Sequence, residues 1–195
     1  MKRNKMHIAL AATAVVMTMA VWIQAAPQQL EAKLEADKVV VTVDGQLFTS
    51  YKFADSQKYP YFWPVNGPTS GQSVTTETSQ PYPHHHSLFF GCDRVNGGNY
   101  WQGGNGHAQF GSGGPKLVEP AGSRIVIRDR CHWRQSGKET IILDTREIVI
   151  AAPSEHRRTI DFHIRLEPLT DIHIQKTNHA LFSARMVPEL SVKSG

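Results

Sequence analysis

Nowhere in its 195 residues does the sequence hold an unbroken apolar run of about twenty, the length a membrane-spanning helix needs. The longest candidate, Ile8 to Ile23, has sixteen residues and includes Thr13 and Thr18. With Lys2, Arg3 and Lys5 ahead of it and Gln24-Ala25-Ala26 behind, it reads as a secretory signal peptide cut after Ala25, with an uncleaved anchor as the alternative. The expected mature chain, residues 26–195, is long enough for one domain with a real core. A surplus of one charge sign is also missing. The leader carries three of the 21 basic residues and no acidic one, which leaves 18 against 17, a net of +1. No basic stripe remains, and a nucleic-acid partner is set aside. Cysteine is scarce: Cys92 and Cys131 are the whole supply, without a two-cysteine metal knuckle. In an oxidising compartment these two can join or stay as buried thiols, and the sequence leaves both open. Amphipathic helices, a G-x-S-x-G elbow and a phosphate-cradling loop are absent too, which argues against a serine hydrolase or a nucleotide enzyme.

What the sequence does have is strand signal. "KVVVTVDGQLFTSY" places two apolar runs around Asp44-Gly45, the signature of a two-residue hairpin. Ahead of it, "PQQLEAKLEAD" has a weak helical spacing at Leu30 and Leu34. From Lys52 to Gly114 the chain is loop-rich, with short strands expected at Tyr61 to Trp63 and Ser87 to Phe90; "GNGHAQFGSGG" reads as a flexible loop. Beyond Leu117 strands are expected at Ser123 to Asp129, Glu139 to Ile150, Arg158 to Leu166, Asp171 to Lys176 and Ala180 to Val187. "TIDFHIRL" alternates most clearly, with Ile160, Phe162, Ile164 and Leu166 on one face and Asp161, His163 and Arg165 on the other. The expected fold is all-β, an antiparallel β-sandwich forming a single domain.

Chemistry concentrates in "PYPHHHSLFFGCDRVNGGNYW", Pro81 to Trp101. If it is extended, His84 and His86 share a face and could be two metal ligands, with a third from His107, His132, His163, His173 or His179. Zinc or copper would accept such a set. The same segment also offers what a polyol needs. Histidines 84 to 86, Asp93, Arg94, Asn96, Asn99 and Gln102 provide planar polar groups, and Tyr100 and Trp101 provide flat apolar faces. A plain surface loop covering a sheet edge is the third reading. In "KTNHALFSAR", Asn178, His179 and Arg185 bracket a strand, an arrangement suited to acid/base work and anion binding, or to an ordinary exposed strand.

The stretch from Tyr59 to Trp101 resembles the N-terminal signature of a secreted bacterial family labelled methane oxygenase PmoA, otherwise a domain of unknown function. Matching positions are Pro60-Tyr61-Phe62, Pro64 with Pro68, Pro83-His84-His85, Leu88 to Phe90, Val95-Asn96-Gly97 and Tyr100-Trp101. "TIDFHIRLEPL" and "FSARMVPEL" match as well. Tyr82 and Cys92 stand where that family usually has histidines. The label gives no warrant for methane oxidation, since the membrane-embedded subunit of that name has spanning helices and this chain has none after its leader. "HHHSLFFGCDRVNGGNYW" and "KTNHALFS" are also similar to segments of galactose mutarotase-like proteins. That resemblance implies a supersandwich in which His85 and His179 act on a sugar ring. The first resemblance implies further strands beyond Gly195 and the second a late carboxylate there, so the domain is expected to be C-terminally incomplete.

The resulting expectation is a periplasmic or secreted protein that binds, and if active processes, a small carbohydrate or oligosaccharide. His85 and His179 are the catalytic candidates, and His84, Asn96, Trp101 and Arg185 the substrate-binding ones. It involves no metal, cofactor, nucleic acid or membrane partner. The rival expectations are a copper or zinc enzyme built on the histidine cluster and an inactive fragment.

Overall fold

The computed structural model describes residues 28–78, 82–102 and 109–192. The signal peptide read at 1–25 and His107 lie outside the described residues. Twelve strands follow in order: β1 (Leu30–Leu34), β2 (Lys38–Val43), β3 (Gln46–Lys52), β4 (Tyr61–Val65), β5 (Leu88–Cys92), β6 (Gln109–Ser112), β7 (Lys116–Glu119), β8 (Ala121–Gly122), β9 (Arg124–Arg134), β10 (Thr140–Ser154), β11 (Arg157–Pro168) and β12 (Ala180–Ala184). They form two antiparallel sheets packed as a sandwich. One runs β12-β5-β4-β3-β2-β1-β8, and the other β11-β10-β9-β6 with β7 also paired to β9. A single 3-10 turn, Pro188–Leu190, is the only helical element among the described residues.

The hairpin at Asp44-Gly45 forms as its residues dictate. Both take left-handed backbone angles, φ 49° and 77°, which Asp tolerates and Gly favours. Val39, Val41 and Val43 then point inward from β2. On β3 the register slips at Phe48, so one extra residue bulges the strand and lets both Phe48 and Tyr51 enter the core.

Three local expectations are corrected. The lead-in is a strand, because β1 pairs along its whole length with β2, and that tertiary ladder outweighs a weak helical spacing. Gln109–Ser112, inside the glycine-rich loop, pairs with β9. The segment Asp171 to Lys176 makes no ladder. It pairs with the loop after β5 through one bridge, Ile174 to Val95, flanked by backbone bonds from the Asn96 N–H to the His173 carbonyl and from the Gln175 N–H to the Arg94 carbonyl, and the Asn96 side chain ties it further.

The core is split. Inward positions on β9 read Ile125, Ile127, Asp129, Cys131, Trp133, and on β10 Ile142, Asp144, Arg146, Ile148, Ile150. The register sets Asp129 opposite Arg146 and Cys131 opposite Asp144, so the apolar alternation breaks at one level on both strands. On one side lie Leu30, Val39, Val41, Phe62, Ile125 and Ile148 with their neighbours. On the other lie Tyr59, Phe89, Phe90, Tyr100, Trp101 and Trp133 with theirs.

Between them the polar belt is fully buried. Arg146, 1% exposed, donates to Asp144 from Nε (3.0 Å) and Nη2 (2.7 Å), and its guanidinium lies over the Phe90 ring. Trp133 Nε1 donates to the same carboxylate. Asp129 accepts from the Tyr51 hydroxyl at 2.7 Å and the Ser112 hydroxyl at 2.7 Å. Every charge in the belt thus has the partners that burial demands. Cys92 and Cys131 are both buried free thiols.

Candidate functional site

The second core cluster forms the floor of the site. After β5 ends at Cys92 the chain loops back, and Tyr100 N–H bonds to the Cys92 carbonyl. Inside that loop Val95 and Gly98 exchange both backbone hydrogen bonds around Asn96-Gly97, which take φ 47° and 72°. Gly98 must be glycine, because a Cβ there would sit 2.9 Å from the Tyr100 ring. Asn99 fixes the next turn, its Oδ1 accepting from the N–H groups of Trp101 and Gln102. Trp101, 6% exposed, is thereby locked over Phe89, with ring centroids 4.8 Å apart.

Two histidines meet this tryptophan. His179, just ahead of β12, lies nearly parallel to the indole at 5.6 Å, and His85 stands edge-on to it at 6.5 Å. His179 Nδ1 is 3.1 Å from Asp93 Oδ2, and the Asp93 N–H bonds to the His179 carbonyl. The Asp93-His179 pair opens on a cleft of about 340 Å³ lined also by Arg94, Asn99, Gln102, Gln175 and Asn178. Its volume is at the lower end of small-molecule sites, about 300 Å³ and upward.

Among the described residues three buried polar atoms here have no hydrogen-bond partner: Asp93 Oδ1, His84 Nε2 and Trp101 Nε1. Native proteins leave few such atoms, and each calls for an explanation. In a carboxylate already paired at one oxygen, an empty second oxygen is a ready acceptor for a ligand donor.

The triple histidine does not alternate as an extended strand would. A turn, closed by the His85 N–H on the Tyr82 carbonyl, folds the segment back. His84 and His85 therefore contact each other edge-on at 4.5 Å, while His86 departs to stack on Tyr61 at 4.4 Å and bonds through Nδ1 to the Glu77 carbonyl. The expected His84 and His86 metal pair is not assembled. Among the described residues no three His, Cys, Asp or Glu side chains form a metal-holding group.

Of the six expected site residues, His85, Trp101 and His179 come together, with His84 against His85. Arg185 follows β12 and bonds by its backbone to Ser87 and Thr76, near enough for its charge to act on His85. Asn96 is consumed by structure. Its Nδ2 donates to the Asp171 carbonyl and its Oδ1 accepts from the His173 N–H, so it clamps the 171–173 segment.

A protein-family model matches residues 38–195 and is described as a family of unknown function, DUF6807. The chain belongs to that family. Neither curated proteins nor solved structures give a match. The DUF6807 match spans every residue of the site, from Lys58 beneath Asn99 to Arg185.

Sequence reasoning noted Asp93 but did not join it to His179, which lies 86 positions away. Gln175 was missed altogether, since its segment read as a strand. The only available signal was the polar run Gln175 to His179 itself.

Burial, reinforced by His84, Arg185 and the other two imidazoles, lowers His85 from the ordinary 6.5 to about 4. His84 and His86 are lowered as well, burial being the first cause in each. A histidine whose folded pKa is lowered takes up its proton more readily when unfolded, so acidification favours unfolding. Stability of this DUF6807 domain is therefore expected to hold above about pH 6.5 and to fall as pH drops from 6.5 towards 4. Thermal melts across pH 4–8 should show the fall, and His85→Gln should flatten it. Parallel curves for the two proteins would contradict the assignment.

Proposed function

We propose that this chain is exported to the periplasm or beyond, binds a carbohydrate in the Asp93-His179 cleft and processes it by acid/base chemistry. The observation that carries this reading is Asp93, which lines a cleft of amides and glycines: it is 6% exposed, with one oxygen on His179 and the other buried without a hydrogen-bond partner among the described residues. A sugar hydroxyl would supply the missing donor, and Asn178, Gln175 and Gln102 would take further hydroxyls.

The chemistry follows from the imidazoles. His179, oriented by Asp93, is placed to exchange a proton with a hydroxyl or ring oxygen of the sugar. His85 is neutral at pH 7 and so can accept one. The finer likeness to PmoA-labelled secreted proteins and to mutarotase-like sandwiches belongs to the same proposal. It rests on the segments that hold His84, His85 and His179.

Calorimetry against a panel of mono- and oligosaccharides tests it. At least one sugar should bind, with His179→Ala weakening it about tenfold or more and His85→Ala affecting turnover more than affinity. Failure of every sugar to bind would overturn the reading.

A further inference from the structure

Arg94 has a backbone conformation that its side chain does not favour. Three non-glycine residues among those described have left-handed φ: Asp44, Asn96 and Arg94 at 54°. Asp44 and Asn96 sit in tight turns just before Gly45 and Gly97, and short polar side chains tolerate that region. Arginine has no such compensation, and glycine or asparagine would be the less strained choice there. Residues held in sparsely populated backbone regions cluster at binding sites.

A hydrogen bond of its own fixes where the guanidinium goes. The Arg94 carbonyl accepts from the Gln175 N–H at 3.2 Å, and its Nη1 donates to the Lys176 carbonyl at 2.8 Å. Arg94 and Gln175 both line the cleft, so the clamp holds the arginine at the wall facing the ligand. It is the one Lys or Arg among the cleft-lining residues, and it has no ion pair among the described residues. The neighbouring carboxylate, Asp93, is turned to His179 instead.

We propose that the carbohydrate is an acidic one, a uronate whose carboxylate is read by the Arg94 guanidinium. This rests on the cleft reading above. Of the five guanidinium N–H donors, one serves the Lys176 carbonyl, and the planar fork that remains matches a planar carboxylate in a two-bond geometry. A single cation beside a carboxylate suits a monoanion better than a phosphate dianion, whose charge and oxygens recruit several donors. The ring hydroxyls of the uronate then face Asp93, His179 and Asn178.

Calorimetry on matched pairs decides the matter: galacturonate against galactose and glucuronate against glucose, with galactose 6-phosphate and galactose 6-sulfate as further arms. The uronate should bind at least tenfold tighter than its neutral partner. Arg94→Gly should bring the uronate down to the level of its neutral partner measured on the same variant, and keep or raise the melting temperature, because glycine relieves the strained φ. Equal affinity for acidic and neutral sugars, a uronate preference that survives Arg94→Gly, or tighter binding of the phosphate or sulfate would overturn the proposal while leaving the cleft reading intact. Silence from all of these sugars would overturn both.

Discussion

Arg146→Ala is expected to cost about 3–5 kcal/mol, a fifth or more of the roughly 5–15 kcal/mol that holds a typical domain together. The substitution strands the Asp144 carboxylate, which is 0% exposed and left with Trp133 as its one side-chain donor among the described residues, in the middle of the sandwich. It also empties the space over Phe90. Urea unfolding of purified protein would read the loss as a shift in midpoint. The companion variant Arg146→Met with Asp144→Leu removes both charges at once and should recover most of the stability, because well-packed apolar residues often replace a buried ion pair without loss. A single variant as stable as the parent would mean that the belt relaxes or admits water.

The second large effect concerns Asp93. Asp93→Ala should reduce ligand affinity about ten- to hundredfold, the worth of a charge-assisted hydrogen bond or two, and reduce any turnover by about 10⁴-fold, as when an imidazole loses the carboxylate that orients it. Stability should move little or even rise, since one oxygen of this buried carboxylate has no partner among the described residues. That divergence separates a functional group from a structural one. A melting temperature that collapses together with binding would assign Asp93 to the fold, and full activity in the variant would remove it from the chemistry.

What could be read from the sequence was local. Val39, Val41 and Val43 beside Asp44-Gly45 announced a hairpin, because alternation and turn chemistry act over a few residues. "TIDFHIRL" likewise gave its strand and its faces, with Phe162 packing on Phe62 and Phe182. The opening strand was illegible, since Leu30 to Leu34 acquires its conformation from the strands it pairs with, β2 along its length and β8 at its start. So was the polar belt. Asp129, Asp144 and Arg146 occupy inward positions where a pattern reader places solvent, and only the cross-strand register brings them together.

The candidate site was legible in its pieces. His84, His85, Trp101 and His179 stood out as residue types in a crowded segment, but the turn at Tyr82 to His85 undid the alternation used to pair His84 with His86. Asn96 looked like a ligand residue and proved to be a clamp, because an amide in a left-handed turn has backbone groups within reach on both sides. Arg94 stood among the polar groups of that segment with nothing to set it apart. Its distinction is a dihedral angle, which composition does not encode.

The strand that brings His179 and Arg185 to the site, β12, is the outermost of its sheet among the described residues, where it is held by a single ladder to β5. Peeling it away would part His179 from Asp93 and Trp101 while both apolar clusters, built from other strands, stayed closed. The site accordingly has a lower opening free energy than the domain that carries it. A ligand held between Asp93 and His179 would act as a latch across that seam, tightening the edge by about 2.7 kcal/mol when present at a hundred times its dissociation constant.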